Sequence, residues 1–298
     1  MKIFITGATG YIGGAAAAAL KKSGHEIVGL THSSERAKAL KAAGVEPVSG
    51  DIKKPAEWRA AVDTCDVLIH AAFEYGPQAV AADETALTTL IESARAAKSP
   101  RLLIYTSGVW VLGGQSAPAT ELTPLNPLPI VAWRPAHEQT ALAAAGGEVS
   151  AVVVRPGCVY GGRRGLYADM IESAVEKKTI KLTGDGSNCW ANVFIDDLGE
   201  LYRLILEKRP EREIYHATDG TAETVHSIAT ALASAAGGAA VETTPLEEAR
   251  KKLGPLADAL ALDQRVSSDK ARKDLGWKPA MISIAKNASA LVKQWRPA

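Results

Sequence analysis

The chain has 298 residues, 47% hydrophobic and 22% charged, with a formal net charge of +1 at pH 7. That length allows one large domain, or one domain and a smaller lobe, around a buried core. The balanced charge gives no electrostatic footprint for nucleic acid or an acidic membrane surface. Cys65, Cys158 and Cys189 have no C-x-x-C or metal-ligand spacing, so they read as packing residues in a reducing compartment, and no metal is expected. No signal peptide opens the sequence, since Gly7 interrupts the first apolar run, and Ala15 to Leu20 is too short to span a bilayer. These features predict a soluble cytoplasmic protein.

Strand and helix signals then alternate. Lys2 to Ile5 reads as a first strand, Tyr11 to Lys22 as a helix, Ile27 to Leu30 as a second strand, and Ser34 to Ala43 as a helix. Val45 to Val48 is a short strand, Asp66 to His70 a fourth, Ala79 to Ala97 a long helix, and Leu102 to Tyr105 a fifth strand. Arg134 to Ala145 is a helix and Val149 to Arg155 a sixth strand. Nearly continuous apolar strands separated by helices predict an α/β fold, a doubly wound parallel sheet covered on both faces. The rhythm changes after Gly161. Leu166 to Glu176 and Asp196 to Glu207 read as helices, Ile180 to Leu182 as a short strand, and the remainder as mostly helix with one strand, Glu213 to Ala217. We therefore expect a dinucleotide-binding domain over 1–161 and a smaller, mostly helical substrate lobe over 162–298, partly interleaved in one compact unit.

The segment Thr6-Gly7-Ala8-Thr9-Gly10-Tyr11-Ile12-Gly13 lies between the first strand and the first helix. Glycines at such a junction permit a tight turn, a close backbone approach to a pyrophosphate, and close packing of helix on sheet. The helix N-terminus adds free N–H groups and a positive dipole end. The G-x-x-G-x-x-G spacing resembles the extended and atypical short-chain dehydrogenase/reductase family. So do Gly50-Asp51-Ile52, His70-Ala71-Ala72, Arg155-Pro156-Gly157-Cys158-Val159-Tyr160-Gly161, Gly184-Asp185-Gly186, Val193 to Leu198, and the closing Ser268 to Ala271 and Leu275 to Pro279. The likeness runs from about residue 1 to about residue 285. It implies a Rossmann-type fold and a nicotinamide dinucleotide held by the glycine turn, with Asp51 and Ile52 near adenine, and with Ala71, Ala72, Thr106, Pro156 and Gly157 along the cofactor.

Which nicotinamide dinucleotide depends on the end of the second strand, where a carboxylate binds the ribose of NAD and repels the phosphate of NADP. Here Thr31-His32-Ser33-Ser34-Glu35-Arg36 follows, with no acid directly past the strand. His32, Ser33 and Arg36 can donate to a phosphate, which favours NADP, with NAD as the alternative. In the bland reading Ser33 or Ser34 caps the next helix and Arg36 is a solvated charge.

The resemblance also implies a serine or threonine, a tyrosine, and a lysine four residues later as the catalytic set. Those positions fall here on Gly108, Trp133 and His137, and no Y-x-x-x-K occurs elsewhere. The chain is therefore similar to the atypical branch that lacks the pair. Substitutes are His137, Tyr160 and Ser107, each of which also has a packing or backbone role open to it. Trp190 stands where sugar-nucleotide enzymes of the family carry a diphosphate-clamping arginine. Trp110, Trp133, Trp190 and Tyr160 would wall an aromatic substrate pocket if they converge. Three functions follow: an NADP-dependent oxidoreductase on a small apolar or aromatic carbonyl compound with a displaced proton donor; a non-catalytic NADP-binding redox sensor or partner-binding protein; or an NAD-dependent epimerase/dehydratase. The expected partner is a small-molecule substrate, with no nucleic acid or membrane, and the resemblance makes a homodimer plausible.

Overall fold

A computed structural model describes residues 1–295. The strands are β1 (Lys2–Thr6), β2 (Glu26–Thr31), β3 (Glu46–Ser49), β4 (Val67–His70), β5 (Arg101–Thr106), β6 (Val149–Pro156), β7 (Cys158–Tyr160), β8 (Thr179–Thr183), β9 (Asn192–Phe194), β10 (Arg212–Ala217) and β11 (Ala240–Thr244). The α-helices are α1 (Tyr11–Lys22), α2 (Ser34–Ala42), α3 (Arg59–Val62), α4 (Ala79–Ala96), α5 (Arg134–Leu142), α6 (Leu166–Glu172), α7 (Ile195–Lys208), α8 (Val225–Ala235), α9 (Leu246–Leu253), α10 (Leu256–Leu260), α11 (Asp269–Leu275) and α12 (Ile284–Trp295).

Seven parallel strands form the main sheet in the order β10-β6-β5-β4-β1-β2-β3. Alternation along each strand feeds two cores. Ile3 and Ile5 point into one, with α1, α7 and Trp277; Phe4, Leu68 and Leu103 point into the other, with Trp58 and Leu87. Both faces are apolar because helices cover both, as a parallel sheet requires. The chain leaves β1 toward β2 on one side and returns as β4 on the other, so the strand order reverses at β1. Side chains and loops at the carboxyl ends of β1 and β4 therefore border an open crevice.

Two features depart from the sequence expectation. The strand read at Glu213 to Ala217 is not a lobe strand: β10 extends the main sheet beside β6. The lobe instead holds two small parallel pairs, β7 with β9 and β8 with β11. Of these only β8 was legible as a strand, because β7 and β9 are three residues each and β11 is mostly polar and exposed. The helix read over 166–176 keeps α-geometry to Glu172 and continues as a π-helical turn to Lys177.

Two contacts fix the lobe on the sheet. Gly199 of α7 lies against the Ala15 carbonyl of α1, where a Cβ would sit 3.0 Å from that oxygen. Asp197 in the first turn of α7 accepts the Ala280 and Met281 N–H groups at 2.9 and 3.0 Å, and its own carbonyl takes the Trp277 indole N–H at 2.8 Å. Asp197 thus holds this closing stretch twice, Trp277 through its main-chain carbonyl and Ala280 and Met281 through its carboxylate.

Gly199→Val should destabilise the chain by about 1–3 kcal/mol in urea unfolding, since the backbone oxygen it meets cannot rotate away. Gly108→Ala is the control, because Gly108 is extended (φ −179) and its Cβ would find only the Pro156 oxygen, at 3.9 Å. It should stay within about 0.5 kcal/mol of the parent. Equal effects of the two changes would contradict this packing.

Candidate functional site

The glycine turn is shaped by contacts that no other residue could make. Gly7 has φ +74, and a Cβ there would sit 2.8 Å from the Ala71 backbone and the Ala72 Cα. The Gly7 carbonyl accepts the Gly10 N–H at 2.7 Å, closing the turn. Thr6 Oγ1 accepts the Ala71 and Ala72 N–H groups at 3.2 and 3.3 Å, so β1 and the segment after β4 are joined beneath it. Gly10 caps α1 with no side-chain partner, and the first turn of α1 carries no acid. Its N–H groups and dipole therefore offer themselves to an outside anion. Gly7, Thr9 and Gly10 line a cleft of ≈ 160 Å³ with Ala71, Ala72 and Phe73. Tyr11 and Arg164 tie the turn to the lobe: the Tyr11 hydroxyl donates to the Gly161 carbonyl at 2.5 Å, and Arg164 donates to the Thr9 carbonyl at 3.0 Å.

At the far end the cleft is bordered by Thr31, His32, Arg36, Gly50 and Ile52. Ser33 caps α2, its Oγ accepting the Arg36 N–H at 3.3 Å, and that hydroxyl keeps its own proton to donate. Glu35 is exposed in the first turn of α2 and is not among the lining residues. Asp51 turns its carboxylate to the Lys53 N–H at 2.9 Å, so the bordering side chain there is Ile52. Glu74 also lines the cleft, its Oε2 3.3 Å from Lys53 Nζ. A cradle too tight for a Cβ and an uncapped helix N-terminus fit the phosphates of a dinucleotide.

The acid–base groups gather at the carboxyl ends of β4 and β5. Asp83 of α4 is buried, and its Oδ2 accepts from His137 Nδ1 at 2.7 Å and from the Tyr105 hydroxyl at 2.9 Å. His70 Nε2 lies 3.3 Å from Oδ1. Burial alone would raise the Asp83 pKa, but the His137 hydrogen bond, the neighbouring His70 ring and the Arg134 charge hold the carboxyl well below the usual carboxylate range. The same burial, with the Asp83 charge, pushes the Tyr105 phenol far above its ordinary value, so it stays a donor. His137 meets Trp133 edge-on at 4.9 Å between ring centroids, and Trp133 stacks on Phe73 at 6.4 Å. Arg134 lies over both rings and donates to the Thr106 carbonyl at 3.2 Å.

Helix α5, which carries Trp133's neighbour Arg134 and His137, is docked by the next residue along. Glu138 is buried and takes the Arg155 guanidinium, Nε at 3.0 Å and NH2 at 2.5 Å. Arg155 NH1 also reaches His216 Nε2 at 3.4 Å, while His216 Nδ1 faces the Ser267 carbonyl at 3.2 Å. Burial first, and then the Arg155 charge, lower the His216 pKa to about 3.

The other sequence candidates are placed elsewhere. The Tyr160 hydroxyl donates to the Met281 carbonyl at 2.8 Å inside the lobe core, and burial raises its pKa far above the ordinary phenol value. Tyr160 is therefore a packing residue with its proton already engaged. Thr106 Oγ1 bonds the Tyr202 hydroxyl at 2.7 Å rather than facing the cofactor cleft. Ser107 is buried at the end of β5, and its Oγ has no partner among the described residues. Pro156 closes β6, and the Gly157 N–H donates to the Ala217 carbonyl at 3.0 Å, so this segment pins β6 to β10. The tryptophans do not converge. Trp133 stacks on Phe73 of the cofactor cleft; Trp110 is half-buried, its carbonyl accepting the Leu128 N–H; Trp190 stands in the lobe. There its indole N–H donates to the Leu260 carbonyl at 3.0 Å, and it lines a cavity of ≈ 590 Å³ with Leu166, Met170, Leu182, Val225 and Leu260.

Asp83, Tyr105 and Arg134 were not among the sequence candidates. Asp83 had a signal: it falls on the apolar stripe of α4 with Ala86, Leu87, Leu90 and Ala94, where an acid needs a partner.

Residues 3–217 match the model of the NAD dependent epimerase/dehydratase family. The chain belongs to that family. A relative 32% identical over 292 residues, spanning 95% of this chain and 97% of its own, is the uncharacterized protein C2A9.02 of Schizosaccharomyces pombe. Another, 27% identical and spanning 93% of this chain and 92% of its own, is the 4-hydroxy-2-methyl-3-oxo-4-farnesyl-3,4-dihydroquinoline-1-oxide ketoreductase of Stigmatella aurantiaca. In fold the chain is similar to the dTDP-glucose 4,6-dehydratase of Bacillus anthracis solved with NAD (TM-score 0.83, 20% identity, 99% of this chain and 96% of that one). A nicotinamide dinucleotide is the cofactor class of an epimerase/dehydratase family member, and the Gly7 turn with the open N-terminus of α1 offers N–H groups to its phosphates. No helix among the described residues is long and apolar enough to cross a membrane.

The His216 pKa fixes a pH window. The folded chain keeps this imidazole neutral down to about pH 3, whereas an unfolded chain protonates it near pH 6.5. Its contribution to stability is intact above pH 6.5 and is lost as the pH falls from there toward 3, with a slope approaching ~1.4 kcal/mol per pH unit. NMR should find the His216 ring signals unchanged between pH 7 and pH 5; titration near pH 6.5 would contradict the buried network.

Proposed function

We propose that this epimerase/dehydratase family member is an NADPH-dependent reductase of a carbonyl compound with an apolar or aromatic body. The observation that carries this reading is Trp190, an indole at the position where the family resemblance puts a diphosphate-binding arginine; it lines a lobe cavity that shares no residue with the lining of the cofactor cleft. An indole cannot neutralise a diphosphate, and the charges around the cavity balance, with Lys177 and Lys181 against Asp169 and Glu242. Its volume, ≈ 590 Å³, lies within the range of small-molecule sites. The Stigmatella aurantiaca relative, named for a farnesyl-bearing ketone, supports the same substrate class. His32 and Arg36 in the lining, with Ser33 beside them at the α2 cap and no acid directly past β2, support NADPH over NADH; the lining carboxylate, Glu74, pairs with Lys53.

In this role a bound reduced nicotinamide would supply the hydride for the carbonyl carbon. The glycine turn holds the dinucleotide phosphates, Ala71 and Ala72 leave room beneath them, and Phe73 with Trp133 covers the cleft. A side chain of the site gives the proton that the carbonyl oxygen needs. Gly108 and Trp133 cannot give it, and Tyr160 is engaged in the lobe core.

The test is NADPH consumption by the purified protein over a panel of aromatic ketones, quinones and medium-chain 3-oxo esters, with UDP-glucose and dTDP-glucose incubated separately with NAD+ and their products read by chromatography, since epimerisation and dehydration use no net cofactor. Turnover on apolar carbonyls and none on the nucleotide sugars is expected. Conversion of the nucleotide sugars, or tight NADPH binding with no turnover anywhere in the panel, would overturn the reading. Arg36→Ala should weaken NADPH binding about tenfold and NADH binding less than about threefold; equal losses would remove the cofactor assignment.

A further inference from the structure

We infer that Asp83 and His137 form the proton-delivering device of this site, with Asp83 as the positioning residue and His137 Nε2 as the atom that gives the proton to the substrate oxygen. This rests on the carbonyl-reductase reading above.

Hydrogen-bond accounting around Asp83 assigns every proton in the cluster. Thr6 Oγ1 already accepts two backbone N–H groups, so its own proton goes to His70 Nδ1 at 2.6 Å. His70 then carries its proton on Nε2, the nitrogen 3.3 Å from Asp83 Oδ1. Tyr105 can only donate to Asp83 Oδ2, because its phenol stays protonated. His137 Nδ1 lies 2.7 Å from that same oxygen and must be its other donor. With Nδ1–H committed to a buried carboxylate, the ring's opposite nitrogen is the working one. Nε2 has no partner among the described residues, and the side chain is 11% exposed. The ring rests on Trp133, whose other contact is Phe73 of the cofactor cleft, so His137 lies beside that cleft.

A carboxylate behind an imidazole stabilises the imidazolium and fixes its tautomer, as in hydrolase triads. Here the cycle balances as follows. The carbonyl carbon gains hydride with two electrons, leaving the nicotinamide oxidised; the carbonyl π pair moves to oxygen; that oxygen takes the proton from His137 Nε2. His137 is left neutral with Nδ1–H still on Asp83, and water reprotonates Nε2 before the next turnover. Arg134, the other charged group facing this corner, is spent on the Thr106 carbonyl and the two aromatic rings. The alternative is a structural brace between α4 and α5 with no part in chemistry.

Two-bond 1H–15N NMR of the full chain, with and without NADP+, reads the pair directly. Neutral His137 should be in the Nδ1–H tautomer, and Asp83→Asn should shift it toward Nε2–H. An Nε2–H tautomer in the parent chain would overturn the assignment. With a carbonyl that the panel shows to be reduced, Asp83→Asn should lower kcat about 100-fold or more while KM and the NADPH Kd stay within about threefold. His137→Ala should lose activity and regain part of it with added imidazole. Lost cofactor affinity together with lost folding in Asp83→Asn, and no imidazole rescue of a folded His137→Ala, would mark a brace and overturn the proposal. If no carbonyl is reduced, the reductase reading fails, while the tautomer still decides the pairing.

Discussion

One buried carboxylate, Asp83, organises the corner where β4, β5, α4 and α5 meet. An ionised acid in an apolar interior is costly unless donors surround it. Here two donors arrive, Tyr105 from β5 and His137 from α5, and the His70 ring of β4 lies beside the other oxygen at 3.3 Å. Removing one donor would leave charge uncompensated, so the three elements are bound to one geometry. Thr6 extends the arrangement to β1, since the hydroxyl that holds His70 also gathers the Ala71 and Ala72 amides under the glycine turn. The cofactor cradle and the acid–base corner are therefore parts of one hydrogen-bonded assembly.

A second buried pair sets α5 from its other side. Glu138 and Arg155 join α5 to β6, and His216 carries the contact on to β10. Adjacent residues of one helix, His137 and Glu138, thus face two different carboxylate–cation arrangements. The short-chain dehydrogenase pattern fixes a tyrosine and a lysine on this helix; here the helix is retained and docked, with Trp133 and His137 at those positions. Trp133, at the tyrosine position, stacks on Phe73.

The fold was largely legible because it rests on local signals. Apolar runs of strand length, the glycine turn and the amphipathic helices all lie within short windows, and each is dictated by burial on both faces of a parallel sheet. The lobe was less so. β7 and β9 are too short to show alternation, and β10 reads as an ordinary apolar strand whose place beside β6 depends on long-range pairing. The cofactor cleft followed from the glycine turn and from His32 and Arg36, which its lining includes. Ser33 turned out to serve the α2 cap as well. For the chemistry, position alone pointed to His137 but equally to Tyr160. Only three-dimensional contacts separate them, because one ring faces Asp83 and the other hydroxyl is spent on Met281. Asp83 could have been noticed as an acid on a buried helix stripe, yet its partners lie 13, 22 and 54 positions away along the chain.

The central claim is that the nicotinamide end of the dinucleotide lies against the free edge of His137. A crystal structure of the chain with NADP+ tests this most directly. The account predicts His137 Nε2 within hydrogen-bond reach of the substrate space over the nicotinamide, at about 3 Å or through one water, with Nδ1 still on Asp83. A nicotinamide ring placed beyond one-water reach of Nε2, or a His137 ring turned away from Asp83, would contradict it.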